Sequence, residues 1–161
     1  MSKFIPFIVA IILLLNGCGK SEEQKQKEEA LDKEVNALHE EVMKLQPGEK
    51  AQALKQYKNQ LDSLIKKYPK DSTTLLAEFK KIADAEQKLN AAKTNMDNWM
   101  SSEGAKKPDP NMNHEQVIKL YEEQKSALTN MRSETQAAIT EADSAVAAFK
   151  RAVQNLTAKK K

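Results

Sequence analysis

Apolar residues return at helical spacing along nearly the whole chain after residue 30, and this spacing constrains the fold more than any other feature. Four such series occur, and the last extends for about forty residues. Strong helix formers dominate the composition, and the 161 residues include four glycines and five prolines. The first series alternates steps of four and three, as in a coiled-coil seam: Leu31, Val35, Leu38, Val42 and Leu45. The sequence therefore predicts an all-α protein.

Breaker residues divide these series into helices. Pro69, with Asp71 and Ser72 after it, predicts a hairpin followed by an N-cap. Gly104 is suited to a left-handed C-cap, and two prolines mark residues 105–111 as a loop. We expect an antiparallel up-down-up bundle of three long helices, over about residues 22–68, 73–102 and 113–157.

Pro47-Gly48 leaves two alternatives for the first helix. The stripes that end at Leu45 and begin at Leu54 would lie on opposite sides of a straight helix, so the chain must reorient between them. A kink keeps three helices and predicts a contact between Met43 and Trp99. A full reversal makes four helices and predicts that Leu38 packs on Tyr57.

The N-terminus resembles a bacterial lipoprotein signal peptide. One lysine precedes a short apolar run that closes at Leu15-Asn16-Gly17-Cys18, and the run is too short to span a bilayer as a helix. The resemblance implies that residues 1–17 are removed and that Cys18 carries the covalent lipid, such as palmitate. We expect residues 18–30 to form a polar tether, residues 31–158 the bundle and residues 159–161 a basic tail.

Composition excludes some classes of function. Cys18 is the only cysteine, so no disulfide can form within the chain. The net charge is +3 and the two signs alternate along the sequence, which is unlike the basic stripe of a nucleic-acid-binding protein. No nucleophile, base or paired carboxylate stands out from the ordinary charges of a helix surface, so no enzyme is predicted.

Histidine, methionine and tryptophan are expected to gather in one layer. If the three helices are joined by tight turns, Trp99 lies level with both Met43 and residue 115. The preferred interpretation is a hydrophobic plug centred on Trp99, because methionine fills irregular gaps and tryptophan buries a large area. The alternative is a soft-metal site for copper. Its predicted ligands are His39, Met43, Met96, Met100 and His114.

Two segments of that layer resemble a family of small helical lipoproteins from Gram-negative bacteria, often labelled "viral A-type inclusion protein". They are His39-Glu40-Glu41-Val42-Met43 and Met96-Asp97-Asn98-Trp99-Met100, similar to paired H-[DE]-E-V-M and M-x-x-W-M segments. The resemblance extends over about residues 35–149 and implies no particular activity. Pro47 departs from the family pattern.

These observations predict a lipid-anchored interaction or scaffold protein of the cell envelope, with an unidentified envelope protein as its partner. Gly19, rather than aspartate, follows Cys18, which by resemblance to known sorting favours the outer membrane. Two alternatives remain at this stage. One is a copper or heavy-metal binder, and the other is a structural lipoprotein linked to peptidoglycan through the terminal lysines, Lys159, Lys160 and Lys161.

Overall fold

The computed structural model describes residues 20–158, apart from the side chain of Glu103. Four helical segments and two short 3-10 turns account for nearly all of this range, which contains no strand. The segments are α1 (Glu22–Lys44), α2 (Pro47–Lys67), α3 (Ser72–Ser101) and α4 (His114–Ala158), and the 3-10 turns are Pro69–Asp71 and Glu103–Ala105. The predicted all-α fold is confirmed. Cys18 and the terminal lysines lie outside the described residues.

A bend at Leu45-Gln46 separates α1 from α2. Gln46 adopts the left-handed conformation, with φ at 48°, and Pro47 is the first residue of α2. Proline disfavours a right-handed helical conformation in the residue before it and is well tolerated at the first helical position. The left-handed residue ends α1, and the proline starts α2 in a new direction.

Pairs of residues along α4 show that this bend is a kink and not a reversal. Glu34 with Lys125 and Glu41 with Arg132 form ion pairs between residues 91 apart. Tyr57 of α2 meets Phe149 at nearly the same separation, with ring centroids 5.5 Å apart. Both segments therefore run parallel to α4 in one register, as two parts of a single bent rod.

The rod formed by α3 runs antiparallel to the other two. Lys58 of α2 bonds to Glu86 of α3 at 2.8 Å, and Lys88 of α3 pairs with Glu141 of α4. Since α2 ends at Lys67 and α3 begins at Ser72, the chain reverses direction between these two contacting helices. The architecture is the predicted up-down-up three-helix bundle, with its first helix bent.

The core divides into two hydrophobic clusters at different heights. The distal core lies among α2, α3 and the C-terminal half of α4, and it includes Leu61, Ile82 and Leu89, which have no exposed surface. The base core lies between α1 and the N-terminal half of α4, where Val42 and Leu128 are buried. We use "distal half" and "base half" for these two regions. Leu38 packs in the base and Tyr57 in the distal core, as the kinked helix requires.

The polar stretch predicted to be a tether is largely helical. Ser21 forms a capping box with Gln24, whose backbone N–H donates to the Ser21 hydroxyl at 3.2 Å. From Glu22 onward the stretch is continuous with α1, which packs along α4. The stretch has no apolar residue before Ala30, and Glu28 joins it to α4 through His114, a contact that the sequence pattern alone did not reveal.

The segment between α3 and α4 follows an unexpected path. Lys88 lies level with Glu141, so at 1.5 Å per residue the end of α3 lies near residue 130 of α4 and not near residue 115. Residues 102–113 therefore run back along α4, and the side chain of Gln124 donates to the Lys106 carbonyl at 2.8 Å. The expectation of a tight turn, with Trp99 level with residue 115, was wrong.

Gly104 also differs from its predicted role. No glycine among the described residues has a positive φ, so Gly104 is not a left-handed cap. It lies against the indole of Trp99 instead, where an added Cβ would be 2.7 Å from Nε1. The close approach to the ring, rather than backbone conformation, accounts for glycine here. None of the helices in residues 20–158 is long and apolar enough to cross a membrane.

Candidate functional site

Trp99 packs against the base core, where the plug was predicted. Its indole ring lies 5.7 Å from the imidazole of His39, at an interplanar angle of 35°. Met96, one turn earlier on α3, is buried in the same cluster, and Met112 of the loop packs against that cluster. The predicted partner of Trp99 was Met43, and the ring contact in the structure is with His39, one turn closer to the N-terminus.

The two histidines lie in different places. His39 contacts Trp99, whereas His114 contacts Glu28, with its Nδ1 2.9 Å from Oε1. Glu28 and His39 are about three turns apart on α1, or roughly 16 Å. Ligands of one metal ion lie about 2 Å from it, so the two imidazoles are too far apart to bind the same ion.

The predicted thioether ligands differ in their exposure to solvent. Met96 is buried, whereas Met43 and Met100 are 41% and 44% exposed. Within residues 20–158 no three side chains of the His, Cys, Asp and Glu types are grouped as a metal would require. The structure thus brings Trp99, His39 and Met96 together as apolar packing, and it does not assemble the predicted five-ligand set.

A polar network that the sequence did not reveal joins α1 to the start of α4. Glu28 accepts from Lys20 at 2.8 Å through Oε2 and contacts His114 through Oε1. One turn further along α1, Asp32 lies near the buried Tyr121 of α4 and helps to raise the pKa of its hydroxyl. We call these five residues the base network. On either helix alone, these residues are spaced like the ordinary charged residues of a helix surface. The base network is therefore recognisable only once α1 is packed on α4.

Electrostatics in the base network follow from burial and neighbouring charges. Burial, with the negative charges of Asp32 and Glu28, raises the pKa of Tyr121 to about 12. Burial alone would raise the pKa of Glu28, but hydrogen bonds and charge from Lys20 and His114 outweigh it and lower that pKa below 4.5. Near neutral pH these shifts keep Tyr121 neutral and Glu28 ionised. The ionised Glu28 joins α1 to α4 through its contact with His114.

The structure also contains a groove between α2 and α4 that the sequence did not predict. It has a volume of about 800 Å³, and the apolar side chains at its centre are Leu64, Phe149 and Val153. The groove exists because α2 and α4 both pack closely on α3 and approach each other less closely. Periodicity located each apolar residue on a helix face but could not show that the two faces remain apart.

Comparisons with known proteins identify no relative: no family model matches the chain, and no curated protein or solved structure is significantly similar to it.

Proposed function

We propose that this protein is a lipid-anchored interaction or scaffold module of the bacterial cell envelope, attached through Cys18 and acting without catalysis. The outer membrane is the expected location. The structure contributes a plausible geometry for such a module: a bundle whose longest helix has 45 residues, about 68 Å of rod.

The main support for the proposal is the position of Lys20. This residue follows Cys18 by two positions, and its ammonium is bound to Glu28 within the base network. A lipid on Cys18 would therefore lie directly beside the base half, with no long flexible linker between them. The distal half would project away from the bilayer, where a partner could reach it.

Lipidation is tested by changing the cysteine in the full chain. Cys18→Ser should abolish lipid attachment and release the protein from membranes, because stable anchoring needs acyl chains. Fractionation and mass spectrometry of the N-terminal peptide measure both effects. Gly19→Asp is the matched control, since it should leave the lipid in place and move the protein toward the inner membrane. A Cys18→Ser chain that remains processed and anchored would refute the lipoprotein assignment.

The interaction role is tested separately. A photo-reactive residue in place of Leu76, which is 54% exposed near the distal end, should form a discrete cross-linked product in intact envelopes. The same residue at Met100, in the base half, is the positional control. If neither site gives a product above that of an unirradiated sample, the scaffold proposal fails while the lipid anchor can still stand.

A further inference from the structure

The groove between α2 and α4 has an apolar floor with a cationic rim. Phe149 is buried at its centre, flanked by the half-buried Leu64 and Val153. Two exposed lysines, Lys67 and Lys150, line the groove, and the remaining polar lining is uncharged, as in Asn59 and Gln154. No carboxylate from the described range lines the groove. Phe149 also packs edge-on against Tyr57, with ring centroids 5.5 Å apart.

The two rim lysines differ from other lysines that lie between helices. Lys58 is neutralised by Glu86, and Lys88 by Glu141. The neighbouring groove between α3 and α4 is lined by Lys81 and Lys88 but also by Asp84 and Glu141. Within residues 20–158, neither Lys67 nor Lys150 forms an ion pair, although Lys67 lies 5.7 Å from the ring of Tyr68. Positive charge is therefore unbalanced in the groove between α2 and α4, whereas carboxylates balance it in the groove between α3 and α4.

From this arrangement we propose that the groove binds a single-chain anionic amphiphile, such as a fatty acid or a lysophospholipid. The acyl chain lies along Leu64, Phe149 and Val153, and the carboxylate or phosphate pairs with Lys67 or Lys150, which lie at different heights along the groove. A volume of about 800 Å³ is in the range of small-molecule sites. Three floor side chains offer far less than the roughly 800 Å² that a stable protein partner covers, which favours a small ligand.

The occupant is not the lipid proposed for this chain's own Cys18. Lys20, the first described residue, is tied to Glu28 and His114 at the base, and His114 begins α4. Lys150 is ten turns further along the same helix, roughly 54 Å away. Binding at the groove is therefore independent of the proposed lipid anchor, and either proposal can fail without the other.

Calorimetry with laurate, below the concentration at which it forms micelles, tests the proposal. The protein is the chain from residue 18 with Cys18→Ser, which retains both core clusters and carries no lipid of its own. We expect saturable binding of one laurate, and weaker or no binding of dodecanol, which has the same chain without the charge. Lysophosphatidylglycerol distinguishes a phosphate head group from a carboxylate.

Matched double variants identify the site. Lys67→Gln with Lys150→Gln should weaken laurate binding by about fivefold, the effect of losing a solvent-facing charge contact. Lys66→Gln with Arg151→Gln is the control, because it removes the same charge from adjacent positions that do not line the groove. Val153→Ser should also weaken binding, and circular dichroism verifies that each variant is folded.

Several results would overturn the proposal. They are the absence of saturable binding of both anionic probes, equal affinity for dodecanol, or an equal loss of affinity in the two double variants. If Lys67→Gln with Lys150→Gln changes stability but leaves laurate binding intact, the two lysines serve only the helix surface. Amide shifts in nuclear magnetic resonance spectra that avoid residues 64, 149 and 153 would place the ligand elsewhere.

Discussion

The distal and base halves of the bundle bury their apolar residues in different ways. In the distal half three helices surround a core in which Leu61, Ile82 and Leu89 have no exposed surface. In the base half α1 and α4 pack as a pair, and the end of α3, with Trp99 and the returning loop, covers them. Ion pairs between helices occur in both halves, such as Lys58 with Glu86 in the distal half and Glu34 with Lys125 in the base half. The comparison shows that the halves differ in their cores: three helices enclose the distal core and leave a groove, whereas one helix pair with a cover forms the base core.

Matched leucine truncations should give the largest effect and the most direct comparison of the halves. Leu89→Ala in the distal core and Leu128→Ala in the base core both remove a fully buried side chain. We expect losses of about 3 to 5 kcal/mol in the free energy of unfolding for Leu89→Ala, and about 2 to 4 for Leu128→Ala, where less protein surrounds the cavity. Chemical denaturation measures both.

Hydrogen exchange then shows whether the halves unfold together. Leu128→Ala should accelerate exchange in α1 while α2 and most of α3 remain protected, because α1 packs mainly on α4 and meets α3 only near Trp99. Equal acceleration in all four segments would show a single cooperative unit and remove the energetic distinction between the halves.

Gly104→Ala should disturb the base half selectively. The new Cβ would lie 2.7 Å from Nε1 and 2.9 Å from Cδ1 of Trp99, so the ring or the loop must move. Overpacking of this kind costs about 1 to 3 kcal/mol, and the fluorescence of Trp99 should change with it. Gly48→Ala is the control, since its Cβ would meet only the flexible chain of Lys93. Unchanged stability and fluorescence in Gly104→Ala would show that the loop is not pressed against Trp99.

Glu28→Gln should change the response of the base half to acid. The pKa of Glu28 in the folded protein is below its ordinary value of 4.5, so its ionised form stabilises the fold fully above that pH. This contribution disappears as the pH falls through the lower folded pKa. We expect the variant to lose about 1 to 2 kcal/mol near neutral pH and to show a smaller further loss below pH 4.5.

Glu22→Gln provides the comparison for that experiment, because Glu22 forms only an exposed pair with Lys25 on the same helix. Denaturation of both variants from pH 3 to pH 7 measures the difference. If Glu28→Gln and Glu22→Gln follow the same pH profile, the contacts of Glu28 with Lys20 and His114 do not stabilise the base half.

Gln46→Gly should have the smallest effect, and it should be stabilising. Gln46 has a φ of 48°, which glycine adopts without steric cost. The greater freedom of glycine in the unfolded chain offsets part of the gain, leaving about 0.5 kcal/mol. A rise in the midpoint of thermal unfolding checks the prediction. A decrease would mean that the side chain of Gln46 contributes more to the junction of the two halves than its backbone strain costs.

Much of this fold was predictable because its rules are local. The capping box of Ser21 and Gln24, the breaker at Pro69 and the start of α3 near Ser72 all depend on neighbouring residues. The short hairpin between α2 and α3 also fixed their relative height, as the contact of Lys58 with Glu86 confirms. The candidate site was less predictable, because it depends on the path of residues 102–113 between α3 and α4. No local rule specifies the path of so long a connection.

The sequence by itself determined which residues are helical, which positions are apolar and where the chain must change direction. Tertiary structure decided that Pro47 gives a kink, that residues 102–113 run back along α4, and that His114 therefore meets Glu28 instead of His39. It also decided that α2 and α4 remain apart over Phe149. The physical reason is that periodicity specifies a face of each helix, whereas height and spacing depend on contacts between residues far apart in the chain.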